Sequence, residues 1–155
     1  MQPVDEPFDV VVTTNSGYPL DQNLYQGVKG MSAAARIVKP GGLIILACEC
    51  SEGIPAGSPF ETLLNECESP AALLARLAMP GFRRPEQWQA QVQALVLSRA
   101  RVMIYSSLSA ASVAGAHLTR CEDISATVQE EVARIGPSAR VAVLPHGPLT
   151  IPYLT

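Results

Sequence analysis

Apolar and polar positions along this chain follow two periods in turn. Asp9 to Thr13 is a short β-branched run around Val10-Val11-Val12, and Leu43-Ile44-Ile45-Leu46-Ala47 is continuously apolar, so each reads as a strand. Between them, Gln22 to Val38 has helical spacing. Leu24, Val28, Met31, Ala35 and Val38 recur at steps of four and three, the stripe a helix lays on a sheet. Strand, helix and strand make one βαβ unit, with a crossover long enough for a parallel pair. Pro40-Gly41-Gly42 reads as the tight turn entering the second strand. A phosphate loop is excluded, because that motif needs a strand before it and a helix after it.

The same alternation continues. After a looser Pro- and Gly-containing region, Ser51 to Pro59, short helical patterns cover Phe60 to Asn65 and Pro70 to Met79. The linker Pro80-Gly81-Phe82-Arg83-Arg84 precedes a helix from about Pro85 to Ala100, with Pro85 as a favourable first-turn residue. Val102-Met103-Ile104-Tyr105 reads as a strand, Ala110 to Leu118 and Ser125 to Ile135 as helices, and Arg140 to Leu144 as a closing strand. Near-continuous apolar strands separated by helices predict an α/β fold: three layers, a mostly parallel sheet of about four strands, helices on both faces, Rossmann-like. No repeat or strong boundary divides residues 1–155, so one domain is expected.

Composition narrows the function classes. A 48% hydrophobic content and mean hydropathy of +0.19 suffice for a full core. A net charge of −3, with eleven basic residues scattered along the chain, gives no electrostatic footprint for nucleic acid or an anionic membrane. Met1 to Glu6 has neither the basic start nor the apolar stretch of a signal peptide, and no apolar run approaches the roughly 20 residues that span a bilayer. A cytoplasmic protein is expected. Cys48, Cys50, Cys67 and Cys121 lack paired zinc spacing and read as reduced, mostly buried thiols. Cys48 and Cys50, two apart, share a strand face.

Candidate chemistry gathers in Ser16 to Gly30, directly beyond the first strand, where open α/β sheets place ligand sites. Asp21 is placed to cap the helix, and Pro19 favours an extended approach to it. Tyr25, Gln26 and Lys29 fall off the apolar stripe, and their i, i+3 and i, i+4 spacing lets them converge on one patch. Taken alone they read as a solvated helix face. Trp88, the only tryptophan, begins a stripe with Val92 and Leu95 and alone reads as a core or groove aromatic. His117 and His146 read as surface or capping residues without a role. Glu49, at the end of the second strand, is a lone carboxylate and a weaker candidate, as are Tyr18 and Asp21.

The string Gly17-Tyr18-Pro19-Leu20-Asp21-Gln22-Asn23-Leu24-Tyr25-Gln26 is long and rich in unusual residues. With Phe8 to Val12, Val28-Lys29-Gly30-Met31, Val38 to Gly42, Glu49-Cys50, Trp88 and the tail Val143 to Pro148, it resembles the C-terminal domain of the nickel-pincer-nucleotide-dependent lactate racemases and their relatives. The resemblance implies that Lys29 and Gln26, with Tyr25, bind substrate in a cleft between two domains, and that Trp88 lies against that pocket. An ammonium offers a point charge for a carboxylate, and an amide can donate or accept a hydrogen bond.

What the resemblance implies about mechanism is racemisation or epimerisation of a small 2-hydroxy acid. A histidine deprotonates the hydroxyl while hydride passes from the α-carbon to a cofactor in which nickel is held by a pincer-shaped pyridinium nucleotide bonded to a lysine. The family's catalytic histidines, their assisting arginine and aspartate, and that lysine belong to the preceding domain. The resemblance therefore implies no catalytic residue and no metal ligand in this chain, which alone should not racemise anything. Its partner should be the N-terminal catalytic domain of the same enzyme, and the chain reads as an excised or truncated domain. Two other readings stand beside this one: a non-catalytic binding or interaction module, and half of an S-adenosylmethionine-dependent methyltransferase. Against the latter, no strand and Gly-rich loop precede residue 9.

Overall fold

The computed structural model describes all 155 residues. Its chain order is β1 (Gln2–Val4), β2 (Phe8–Thr14), α1 (Leu24–Ala35), β3 (Val38–Ala47), α2 (Pro59–Glu66), α3 (Pro70–Leu77), α4 (Gln87–Arg99), β4 (Arg101–Tyr105), α5 (Ala110–Gly115), β5 (Thr119–Arg120), α6 (Ile124–Ile135), β6 (Val141–Leu144) and β7 (Pro152–Leu154). Five strands form one parallel sheet in the order β5-β4-β3-β2-β6. The α/β three-layer expectation holds, with five strands where the pattern suggested about four. The extra one, β5, has two residues and therefore no period to read. Sequence reading also missed the parallel pair β1 and β7, three residues each, which ties the termini together.

The strands are buried on both faces, as the apolar runs require: Val10, Val11, Leu43, Ile44, Ile45 and Leu46 are all essentially inaccessible. The two faces are unequal. Twenty-eight buried residues, including Leu24, Val28, Met31, Phe60 and Leu63, form the core under α1 to α5. Only Val10, Leu43, Ile45 and Cys121 make the buried cluster on the α6 side. β2 to β5 step toward one edge, whereas β6 returns to the other side of β2, so the strand order reverses between β2 and β6.

Several boundaries differ from the sequence pattern. The first helix ends at Ala35 rather than Val38, because Val38 is already paired with Phe8 in β3. Pro40-Gly41 is an irregularity inside β3 rather than a turn before it: the register shifts between Phe8 and Val10. Gly42 is needed there, since a Cβ would lie 2.8 Å from the Asp9 carbonyl oxygen. Ala110 to Leu118 is helical only to Gly115. The cap of α1 is Asn23, whose side chain accepts from the Gln26 amide at 3.1 Å, and not Asp21. Asp21 instead turns its carbonyl to the Cys50 amide at 2.8 Å, joining the loop before α1 to the end of β3.

One ion pair bridges the entry of this sheet. Lys39 Nζ donates to Asp9 Oδ1 at 2.8 Å and the Arg140 amide to Asp9 Oδ2 at 2.9 Å. The Lys39 hydrogen bond, followed by the Arg140 amide, holds the Asp9 carboxyl below the usual carboxylate range. A depressed folded pKa contributes stability that is complete above the unfolded value of about 4 and disappears as pH falls through the folded value. We expect Asp9→Asn to flatten the loss of stability as pH falls below about 4. Urea midpoints across that range check it, and an unchanged acid limb would remove Asp9 from this role. Glu131, held low first by Arg134 and also by Arg101, keeps its own share of the acid limb in both proteins.

Candidate functional site

The backbone carrying the candidate residues is fixed where α1 crosses the end of β2. Buried Asn15 accepts from the Gly30 amide at 3.1 Å through Oδ1 and donates through Nδ2 to the Leu20 carbonyl. Thr13 Oγ1 donates to the Gly30 carbonyl at 3.3 Å. Gly30 lacks a side chain because a Cβ would sit 2.5 Å from the Thr14 carbonyl oxygen. Lys29 thus springs from a backbone clamped at the next residue, while its own side chain is exposed.

Lys29 Nζ donates to Gln26 Oε1 at 2.6 Å, one helical turn away, and takes part in none of the six ion pairs. That bond occupies the Gln26 amide oxygen and leaves its amide nitrogen, a donor, without a protein partner. Tyr25 does not join them on an open face. Its half-buried ring packs edge-on against Phe60 at 5.4 Å and Trp88 at 5.9 Å between centroids. Burial, with the Glu86 charge second, pushes its phenol pKa up. Packing of α4 beside α1 draws the ring in, a tertiary contact that helix spacing cannot show.

Trp88 lies in the first turn of α4 and remains 54% exposed. It lines a groove of about 280 Å³ together with Lys29, Ser32, Arg36, Val92 and Ile151. The structure therefore brings Lys29 and Trp88 to one concavity, with Gln26 bonded to the first and Tyr25 packed edge-on against the second. The far wall comes from the C-terminal residues Pro148, Thr150 and Ile151. Sequence reading assigned those none of this; only Pro148 falls in the tail, Val143 to Pro148, that resembles the end of a known domain, and Thr150 and Ile151 lie beyond it.

Asp21 and Glu49 fall elsewhere. With Thr14, Ser16, Tyr105 and His146 they line a second crevice of about 350 Å³ beyond the carboxyl ends of β2, β3, β4 and β6. Tyr18 is 81% exposed and lines neither concavity. His117 is engaged structurally, its Nε2 bonded to the Leu64 carbonyl at 3.0 Å. All four cysteines are buried and free. Cys48 and Cys50 sit 3.5 Å apart, and their hydrogen bond together with burial pushes the Cys50 thiol far up, which disfavours the reactive thiolate. No group of three or more His, Cys, Asp or Glu side chains is arranged to hold a metal ion. No helix is long and apolar enough to cross a membrane.

The fold and this groove define a Rossmann-like α/β domain that presents an unpaired ammonium, an amide and an indole at its surface. A family model described as lactate racemase C-terminal domain matches residues 4–151, and the chain belongs to that family. It is 34% identical over 145 residues to lactate racemase from Thermoanaerobacterium thermosaccharolyticum, covering 92% of this chain and 34% of that protein. It is also 34% identical over 142 residues to lactate racemase from Lactiplantibacillus plantarum, covering 90% and 33%. The structure of the Thermoanaerobacterium lactate racemase apoprotein superposes with a TM-score of 0.84 at 31% identity, over 96% of this chain and 36% of that one. A Thermotoga maritima protein of known structure shares the fold alone, with a TM-score of 0.58 at 12% identity. The chain spans about a third of the length of the curated relatives it matches. Family membership supersedes the methyltransferase reading.

Proposed function

We propose that this chain supplies the substrate-holding wall of a two-domain 2-hydroxy-acid racemase or epimerase. Lys29 attracts the substrate carboxylate, the Gln26 amide hydrogen-bonds to it, and the Tyr25 and Trp88 rings exclude water from one side. The observation that carries the reading is Lys29 itself: a cation without a counter-ion, steadied by a neutral amide and facing a groove beside the only tryptophan. Such an ammonium is available to an anion, and a pre-set donor pair limits the orientations the anion can take.

The nickel-pincer nucleotide implied by the family would act as the acceptor and donor of hydride. This chain offers no cluster of His, Cys, Asp or Glu side chains that fits a nickel ion, so residues of the other domain would hold that group. What these residues contribute is binding and register: they hold the carboxylate end so that the α-carbon faces whatever reacts with it.

The test joins this chain to the N-terminal two thirds of the Thermoanaerobacterium relative, in place of that protein's own C-terminal third. Racemisation of lactate or another small 2-hydroxy acid by the cofactor-loaded chimera is expected, and a folded, loaded chimera inert toward the series would overturn the proposal. In the same protein Gln26→Leu should raise KM about tenfold, the loss of one hydrogen bond to a charged group. An unchanged KM would remove Gln26 from the cleft.

A further inference from the structure

The groove beside Lys29 does not end there. A second concavity of about 340 Å³, lined by Leu95, Val96 and Arg99, adjoins it through shared Ser32, Arg36 and Val92. Lys29 and Ser32 of α1 and its C-cap Arg36 stand at i, i+3 and i+7, so the backbone positions of the two cations are about 10 Å apart along the helix axis. The α4 side of the strip is apolar and open: Trp88 is 54% exposed, Leu95 52%, and Ile151 on the C-terminal wall 48%.

Charge is distributed unevenly with respect to this strip. Ion pairs engage Lys39, Arg76, Arg101, Arg120, Arg134 and Arg140. Of the eleven basic residues, that leaves Lys29, Arg36, Arg83, Arg84 and Arg99, and three of these five line the strip. Arg99 gives a hydrogen bond to the Val38 carbonyl at 3.0 Å, which does not neutralise it. No Asp or Glu lines either concavity, although the chain as a whole carries a net charge of −3. A surface that pairs most of its cations internally has left an acid-free, partly apolar strip without a counterpart. Exposed apolar area rimmed by unpaired charge of one sign marks an interaction surface for a partner of opposite sign.

We infer that the Arg36–Leu95–Arg99 end of this strip is the docking surface for the other racemase domain, and that it receives an acidic segment bearing apolar side chains. Carboxylates of that segment pair with Arg36 and Arg99, and its apolar side chains cover Val92 and Leu95. The inference rests on the reading that this chain works against such a domain. Two thirds of each curated relative lies outside the matched region, so in those proteins a further part of the same chain is joined to the counterpart of this domain. Docking at the Arg36 end would leave the Lys29 and Trp88 end open as the cleft and set which way the ammonium faces.

Because all four native cysteines are buried, single introduced thiols report on exposure. Leu95→Cys should react with a maleimide at least tenfold more slowly in the chimera than in the 155-residue chain. Ala133→Cys, on the exposed side of α6, should react equally in both. Adding Arg36→Glu, or the milder Arg36→Gln if reversal lowers the melting temperature, should restore fast labelling of Leu95→Cys in the chimera, and so should raising the salt from 20 to 300 mM. Arg83→Glu, with the same charge change outside the strip, should not. Equal labelling of Leu95→Cys in both proteins, or protection that survives Arg36→Glu and Arg36→Gln, overturns the docking surface. Concentration-dependent protection in the isolated chain would assign the strip to a second copy instead and also overturn it. The two proposals separate cleanly: if Lys29→Ala leaves turnover intact while Leu95→Cys stays protected, only the substrate reading fails, and the converse result removes only the docking surface.

Discussion

Lys29→Ala in the cofactor-loaded chimera is expected to lower kcat/KM by about 10²- to 10³-fold, corresponding to roughly 3–4 kcal/mol of lost transition-state stabilisation. The magnitude follows from truncating one partner of a desolvated charge pair, which leaves the substrate carboxylate facing an uncharged wall once the second domain excludes water. Stability should not change, because the Lys29 side chain is exposed and its one hydrogen bond, to Gln26, is itself exposed. Lys29→Arg should recover only part of the loss, since the planar guanidinium cannot place its charge where a compact ammonium does. Racemisation kinetics over a range of substrate concentration, alongside thermal melts, decide the matter. Wild-type kinetics in Lys29→Ala would take this residue out of the cleft and with it the reading built on it.

The second large effect is on folding. Gly147→Ala should destabilise the domain by about 3 kcal/mol, at the upper end for an inserted methyl group, because nothing around it can yield. A Cβ at Gly147 would lie 2.0 Å from the Thr14 carbonyl oxygen, 2.6 Å from Thr13 Oγ1 and 3.2 Å from Gly30 Cα. Two of these atoms are backbone, belonging to the strand and the helix that fix Lys29. For a chain of this size the melting temperature should fall by about 6–12 °C. The damage should also reach the groove, since Gly147 leads directly into Pro148, Thr150 and Ile151, its far wall. Weakened substrate binding in chimeric Gly147→Ala at temperatures where it remains folded is therefore expected. A melting temperature within 2 °C of wild type would show that the tail is not seated as described.

These two residues differ in how legible they were. Lys29 stood out only through the distinctive strings around it that resemble a known family; its off-stripe position in a helix whose apolar face was readable from Leu24, Val28 and Met31, all three fully buried, by itself reads as a solvated face. Gly147 was visible only as part of a recognisable tail, because a glycine's reason for being small lies in atoms more than a hundred residues away in the chain. Asn15 was missed for a similar cause: a buried asparagine looks like any loop residue until the Gly30 amide it accepts from is in place. Asp21 was misread as the cap because it suits the role chemically, and Asn23 won it by lying where the first helical amides point. Tyr25 was placed on the open face by its helical angle, and the neighbouring α4 turned it toward Phe60 and Trp88 instead.

The amino-acid sequence by itself determined the alternation of the longer strands and helices, the buried face of α1, and the family, because apolar period and distinctive local strings are properties of neighbours along the chain. It misjudged α4, where Trp88 and Leu95 of the apolar stripe stay about half exposed while Gln89, Ala90, Gln93 and Ala94 are buried. The tertiary structure alone decided that β6 returns beside β2, that three-residue segments at the two ends pair, that Trp88 and Lys29 line one groove together with the C-terminal Pro148, Thr150 and Ile151, and that three cations outside any ion pair share one strip. Those facts depend on close packing between segments distant in sequence, where sterics and hydrogen-bond satisfaction select among arrangements that the local pattern leaves equivalent.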